Sequence, residues 1–258
     1  MSLDLRYFKE YRRRIGFTNQ QTTKSYLSAK DIVADVDFQY VEKLIARLRE
    51  IYEHLNSAIH ESVRHKDFAD FAKHAIDVPY ERIKREGLIG NLNNQGRRPE
   101  QVLFNWLRGY AATEFIRPAI AYVFEVDPMS IESIGDDDFS SQETFKRTPR
   151  ADLKVREGRD SLRLEVQSGF QDINDVKQHK WLEARRHLAE TGHHTVCVHC
   201  DFYSGQVAFI RLSAIPENDV HWITRQQMEG QTVFNISQNR FSWGLINKPP
   251  LFDELELD

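Results

Sequence analysis

The sequence lacks several features that mark common classes of protein. Its 258 residues include only two cysteines, Cys197 and Cys200, which cannot build a framework of disulfides. No run of about 18 apolar residues is present, so we expect no transmembrane helix. The N-terminal segment MSLDLRYFKEYRRR is too highly charged for a signal peptide. These absences lead us to expect a soluble protein of the reducing cytoplasm.

Motifs for two large groups of enzymes are also missing. The sequence has neither a glycine-rich phosphate-binding loop of the Walker type nor the Gly-x-Ser-x-Gly turn of many serine hydrolases. The net charge of −4 does not suit a nonspecific coat on nucleic acid, which is usually basic. A site-specific enzyme is compatible with this charge, because the local electric field matters more than the total.

Apolar residues recur every three or four positions in the first part of the chain, which predicts helices. The clearest run spans residues 38–59, and Asp35 or Asp37 can cap its N-terminus. Two further helices are predicted at 63–76 and 80–86. A segment rich in glycine and asparagine then interrupts the apolar periodicity and predicts a loop at 87–100.

The second half of the chain predicts alternating helices and strands. A helix begins at Pro99 or Glu100 and continues to Arg117, where Pro118 kinks or ends it. After an irregular segment and a hairpin, a further helix is capped by Gly192. The irregular segment is predicted at 127–149, and the helix that Gly192 caps is predicted at 172–190. Two strands are predicted at 194–200 and 206–212. The order helix, strand, strand, helix, strand, strand indicates an α/β fold.

The most informative segment is residues 150–167, with the sequence RADLKVREGRDSLRLEVQ. Two alternating runs flank Gly158-Arg159, which suits a two-residue hairpin turn. Counting outward pairs Glu157 with Asp160 and puts four apolar side chains on one face: Leu153 opposite Leu164, and Val155 opposite Leu162. The other face then carries three polar pairs: Asp152 opposite Glu165, Lys154 opposite Arg163, and Arg150 opposite Gln167.

Asp152 and Glu165 form an unusual pair, because two carboxylates directly across a ladder repel each other. The pair makes sense when a cation lies between them. Magnesium takes oxygen ligands, keeps several waters and needs only one or two protein carboxylates. We expect both side chains and the Val166 carbonyl to bind it. Gln167, on the same strand face, can then orient a water or a phosphate oxygen during metal-assisted phosphodiester hydrolysis.

At these positions the chain resembles the PD-(D/E)XK nuclease superfamily, and type II restriction endonucleases in particular. Ala151-Asp152 is similar to the usual Pro-Asp, and Glu165-Val166-Gln167 is similar to Glu-x-Lys, with glutamine in place of lysine. The resemblance implies a mixed central sheet flanked by helices. It also implies site-specific, Mg²⁺-dependent cleavage of double-stranded DNA by a homodimer, with Mn²⁺ able to replace Mg²⁺.

The same resemblance suggests roles for further residues. In many relatives a glutamate from the helix before the hairpin completes the metal site, which suggests Glu114. An amide does not act as a general base, so Gln167 is expected to position a reactant while Lys154 supplies positive charge. We expect residues 1–99 to form a helical region for dimer or DNA contacts. Residues 100–258 are then the catalytic core with a C-terminal extension.

Side chains that read DNA bases are concentrated in the loop at 87–100. Asn and Gln suit adenine and Arg suits guanine, although Asn and Gly are also common turn residues. We predict DNA contacts by the following residues of this loop and of the hairpin: Asn93, Asn94, Gln95, Arg97, Arg98 and Lys154.

Other interpretations remain open at this point. The hairpin can be an ordinary solvated one, or the enzyme can be a repair or structure-selective nuclease. The glutamine at position 167 is also compatible with a catalytically inactive DNA-binding protein. A zinc cluster of the histidines and cysteines at 193–200 is disfavoured, because alternate residues of a strand face opposite sides of the sheet.

Overall fold

The computed structural model describes the chain at residues 5–17, 19–29, 31–92, 97–135, 139, 145, 151–157, 160–171, 173–225, 230–255 and 257. The helices within these ranges are α1 (Leu5–Arg14), α2 (Gln20–Leu27), α3 (Phe38–Ala58), α4 (Phe68–Ala72), α5 (Val78–Arg85), α6 (Pro99–Val123) and α7 (Gln178–Thr191). The strands are β1 (Glu132–Ser133), β2 (Leu153–Glu157), β3 (Asp160–Gly169), β4 (Asp175–Lys177), β5 (Thr195–Asp201), β6 (Gln206–Arg211), β7 (Ile223–Arg225), β8 (Gln231–Asn235) and β9 (Phe241–Gly244). No helix of the described chain is both long and apolar enough to cross a membrane.

Helix α3 forms where the apolar periodicity predicts it. The carboxylate of Asp37 caps it by accepting a 3.0 Å hydrogen bond from the Tyr40 N–H. The stripe that predicted the helix is buried, and it includes Val41, Ile45 and Leu48. The predicted helix at 80–86 is also present, as α5, which begins slightly earlier at Val78.

The predicted continuous helix at 63–76 is wrong. A 3₁₀ turn at Glu61–Val63 comes first, and α4 begins only after Asp67, whose carboxylate accepts a hydrogen bond from the Asp70 N–H. A π-helical turn then connects α4 to α5. Pro79, at the start of α5, has no N–H to extend a regular ladder, which favours this local change of pitch.

Helix α6 passes through Pro118 and ends only at Val123. The proline ring removes the N–H that would bond to the carbonyl of Glu114. The flanking residues Phe115, Ile116, Ala119 and Ile120 are all buried. Their packing compensates for one missing hydrogen bond, so Pro118 does not end the helix, which was one of the two outcomes predicted for it.

The hairpin has the register that the sequence predicts. Leu153 pairs with Leu164, Lys154 with Arg163, Val155 with Leu162, and Glu157 with Asp160. The turn residues Gly158 and Arg159, and also Arg150, lie outside the described residues.

The main sheet is mixed and has the strand order β1-β2-β3-β5-β6-β9. Strands β3 and β5 are parallel, and the other neighbours are antiparallel. A smaller antiparallel sheet has the order β4-β8-β7. The predicted α/β fold with a mixed central sheet flanked by helices is therefore confirmed.

Two hydrophobic clusters cover the two faces of the main sheet. On one face, apolar residues of β2, β3 and β5 pack with those of α3, α5 and α6 in a single cluster. On the other face, Cys197, Ala208 and Ile210 pack with Trp181 and Ala184 of α7. The predicted helix at 172–190 begins later than expected, because residues 175–177 pair with β8 as a strand. It ends where predicted, at Gly192, whose φ of 75° suits glycine.

Candidate metal centre

Asp152 lies immediately before β2, and its side chain is tied to β3. Its backbone N–H donates to the Leu164 carbonyl at 3.1 Å. Its carboxylate Oδ2 accepts a 2.8 Å hydrogen bond from the Val166 N–H. The Asp152 carboxylate therefore lies beside the segment Glu165-Val166-Gln167, as the hairpin register predicted.

Glu165 lies on β3 and faces α7. The residue is only 4% exposed, and its neighbour in the parallel register, Cys197, is fully buried. Its Oε2 accepts a 2.8 Å hydrogen bond from Lys180 Nζ, and the amide of Gln167 donates a further hydrogen bond to its carboxylate. Two donors of the chain, Lys180 and Gln167, thus meet at one buried carboxylate.

Burial and the neighbouring charges together shift the pKa values of the two acids of this site. Burial raises the pKa of Glu165, and the Asp152 carboxylate raises it further, to about 8, although Lys180 and Gln167 oppose the change. Burial likewise raises the pKa of Asp152, against the charge of Lys180 and the Val166 N–H. One ammonium group is therefore not enough to hold both acids fully ionised at neutral pH.

A role for the Val166 carbonyl as a third oxygen ligand stays a prediction, and the strand geometry is compatible with it. The Val166 N–H points toward Asp152, and the N–H and C=O of one strand residue point to the same neighbouring strand. Because β2 begins only at Leu153, the ladder does not extend opposite this carbonyl. It is therefore expected to face the same edge as the Asp152 carboxylate.

The donor set fits a hard divalent cation. Its groups are two carboxylates and a backbone carbonyl, and magnesium or manganese takes oxygen ligands of this kind. Among the described residues, no group of three or more His, Cys, Asp or Glu side chains converges, whereas zinc prefers four nitrogen or sulfur ligands. Cys197 and Cys200 belong to the clusters on opposite faces of the sheet.

Glu114 is engaged elsewhere in this structure. Its carboxylate forms two hydrogen bonds with Arg117, at 2.7 and 2.9 Å. Arg117 also donates to the Ile131 carbonyl and to the Ser133 hydroxyl, so the pair ties α6 to β1. A role for Glu114 at the metal stays a prediction.

The residues expected to touch DNA are only partly described. Asn93, Asn94 and Gln95 lie outside the described residues, and Arg97 is exposed. Arg98 is half exposed, but it donates to Glu100 and stacks over the Tyr40 ring, with its guanidinium carbon 4.9 Å from the ring centre.

The start of the same loop is part of the core. Leu88, Ile89 and Leu92 are buried, and the Gly90 carbonyl accepts a 2.9 Å hydrogen bond from the Ala34 N–H. An added Cβ at Gly90 would approach the Ala34 carbonyl to 2.8 Å. The buried residues 88–90 and 92 are therefore not available for contacts with DNA.

Lys154 and Lys180 differ in what they contact. Lys154 Nζ lies 3.8 Å from Glu132 Oε2, its partner across the β1–β2 ladder. Lys180 is the cation whose charge acts on both Asp152 and Glu165. The compensating charge expected from Lys154 thus comes from α7.

Sequence reasoning missed Lys180, although a signal was present. Residues four apart share one face of a helix, so Lys180 lies one turn before the buried Ala184. A lysine on the apolar stripe of a helix needs an acidic partner in the core.

Comparisons with known proteins give little further guidance. No model of a known protein family matches the sequence, and no curated protein matches it. A comparison of structures finds similarity to a Holliday junction resolvase, Hjc of Archaeoglobus fulgidus, with a TM-score of 0.31 and 12% sequence identity. The similarity covers 54% of this chain and 94% of the resolvase chain. A likeness of this size does not establish the function of this chain.

Proposed function

We propose that this protein is a metal-dependent endonuclease of the PD-(D/E)XK type that cleaves double-stranded DNA. The observation that carries the proposal is the pair Asp152 and Glu165. The Val166 N–H holds the Asp152 carboxylate beside β3, and the nearby Asp152 raises the pKa of the buried Glu165. A fold gains nothing from this pair, whereas a divalent cation would stabilise it.

Asp152, Glu165 and the Val166 carbonyl would hold the cation, which is Mg²⁺ with Mn²⁺ as a substitute. The ion would lower the pKa of a water and neutralise charge on the scissile phosphate. Gln167 would position the attacking water or a phosphate oxygen, because its amide both donates and accepts hydrogen bonds without titrating. It already contacts Glu165.

The finer proposal is a type II restriction endonuclease that acts as a homodimer on a palindromic site. A twofold dimer matches the symmetry of such a site. Arg97 and Arg98, with the neighbouring Asn93, Asn94 and Gln95, would contact the duplex, and Lys154 would contact a phosphate. The choice of DNA substrates tests the site-specific activity, and the oligomeric state in solution tests the dimer.

The test is cleavage of a panel of DNA substrates with Mg²⁺ and with a chelator. Unmodified plasmids and genomic DNA should be cut into discrete fragments if the enzyme is site-specific. Synthetic flaps and four-way junctions provide the alternative substrates. Cleavage of branched DNA alone would support the proposed nuclease function but reject the type II restriction activity. An absence of metal-dependent cleavage of all these substrates would reject the nuclease.

A further inference from the structure

We infer that Lys180 is the active-site cation of this nuclease: its ammonium group acts on the scissile phosphate once a divalent ion occupies the two carboxylates. The inference rests on the proposed function and deepens it. It starts from the contact between α7 and β3, where Lys180 Nζ lies 2.8 Å from Glu165 Oε2. Both side chains are largely buried, with 14% and 6% of their surfaces exposed.

Helix stability does not explain this lysine. Lys180 is the third residue of α7, and the first turn of a helix favours acidic side chains because its free N–H groups carry partial positive charge. Burial of an ammonium group is also costly without a partner. Its partner is a residue of the metal site, so the position of Lys180 is linked to that site.

The charges at the site show what Lys180 can add. Two carboxylates balance one divalent ion, which leaves no positive charge for the phosphodiester. The single negative charge of the phosphodiester grows in the transition state of hydrolysis. Cations that are preorganised beside the phosphate stabilise this charge. Lys180 lies 2.8 Å from Glu165, and its charge acts on both Asp152 and Glu165, so it is suited to this task.

The chemical step needs no change in the protonation of Lys180. A water oxygen forms a bond to phosphorus while the bond from phosphorus to the leaving deoxyribose oxygen breaks. The water gives a proton to the solvent, and the leaving oxygen takes one from the solvent. Lys180 keeps its three protons and donates hydrogen bonds to a phosphate oxygen, which its flexible four-carbon stem permits.

A purely structural role makes a different prediction. If Lys180 serves only as the counter-ion of Glu165 in the metal-free protein, a divalent ion replaces it. Its loss would then leave the cleavage rate unchanged at saturating metal and DNA. Metal binding and catalysis must therefore be measured separately.

The experiment compares Lys180→Met, Lys180→Arg and the double variant Lys180→Met, Gln167→Lys. Arg186→Met is the matched control, because it removes a positive charge from the exposed side of the same helix. Calorimetry with Mn²⁺ measures ion binding without DNA. Single-turnover cleavage at saturating DNA and metal measures the chemical step.

We expect Lys180→Met to bind Mn²⁺ more tightly than the wild type, because a competing cation has been removed. The same variant should cleave about 10²-fold to 10³-fold more slowly. Lys180→Arg should keep much of the rate. Adding Gln167→Lys, at a position where the native glutamine contacts Glu165, should restore part of the rate of Lys180→Met. Arg186→Met should match the wild type in both measurements.

A wild-type cleavage rate in Lys180→Met would overturn the inference on Lys180, whereas the proposed nuclease function would stand. A slow Lys180→Met that binds Mn²⁺ more weakly and is not rescued at position 167 would also overturn it, since Lys180 would then only hold the site together. If Lys180→Met does not fold, Lys180→Gln provides the same comparison. A wild-type protein that cuts no DNA with any metal would instead reject the proposed function itself.

Discussion

At the scale of single residues, the site is a balance of charge around Glu165. Burial and Asp152 favour the protonated acid, whereas Lys180 and Gln167 favour the carboxylate. Such a balance is unfavourable for the fold alone and useful for binding a cation. Its consequences can be measured without any DNA.

The first prediction concerns stability and pH in the absence of metal. The pKa of Glu165 is about 8 in the folded chain and near its ordinary value of 4.5 when unfolded. Between these values the folded state holds a proton that the unfolded state has lost, so the free energy of unfolding falls as pH rises. The slope from this group is at most about 1.4 kcal/mol per pH unit.

Urea unfolding at pH 6 and pH 8 in a chelator checks this prediction. Glu165→Gln does not titrate, so it should lose less stability over the same interval. Adding Mg²⁺ at pH 8 should raise the melting temperature of the wild type and not of the variant. Equal pH dependence of the free energy of unfolding in the two proteins would show that folding does not raise the pKa of Glu165.

The second prediction concerns Gln167. Gln167→Ala should lower the single-turnover rate about 10²-fold, because one oriented hydrogen bond at the transition state is lost. Gln167→Lys should keep some activity, since a lysine at this position also donates hydrogen bonds. Gln206→Ala, a change of another half-buried glutamine, is the control. A wild-type rate in Gln167→Ala would place this residue outside the site.

At the scale of elements, the hairpin was predictable because its information is local. The pairs from Glu157–Asp160 to Leu153–Leu164 follow from the turn position and the alternation of side chains. Helix α3 was predictable for the same reason, since its cap and its apolar stripe lie in one continuous segment.

Elements that depend on distant partners were not predictable. Residues 175–177 form a strand only because β8, far along the chain, pairs with them. Helix α6 continues past Pro118 because tertiary packing outweighs one lost hydrogen bond. The contact between Lys180 and Glu165 joins two elements, and the sequence shows only an unexplained lysine on a buried stripe.

The third prediction separates the two arginines before α6. Glu100 is buried and accepts hydrogen bonds from the Asp37 N–H and from Arg98. Arg98→Ala should therefore lower the free energy of unfolding, because the buried Glu100 loses a charged partner. The exposed Arg97 should matter less for stability. Thermal or urea unfolding of both variants measures the difference.

Binding to duplex DNA at several salt concentrations then tests the proposed interface. Arg97→Ala should weaken binding and lower the dependence of log affinity on log salt by about one counterion. If Arg97 reads a base, discrimination between sequences should fall with little change in this dependence. No change in affinity, salt dependence or specificity would make Arg97 an ordinary surface residue.

At the scale of the whole molecule, the main sheet separates two environments. The helices α3, α5 and α6 cover one face with a large apolar cluster, whereas the acids and Lys180 lie on the side of α7. The scaffold of the site is therefore a packed sheet, and strands hold reactive groups more accurately than loops do. The proposed homodimer and its contacts are a separate matter, which the oligomeric state in solution would test.

The metal centre is tested most directly by Mg²⁺-dependent cleavage of duplex DNA by the wild type, Asp152→Asn and Glu132→Gln. Glu132 is the matched control, because it is a half-exposed acid on the neighbouring strand β1 that contacts Lys154. We predict that the wild type and Glu132→Gln cut DNA with Mg²⁺ and not with a chelator. Asp152→Asn should be at least ~10²-fold slower while remaining folded. Cleavage by Asp152→Asn at the wild-type rate would contradict the assignment of the metal centre.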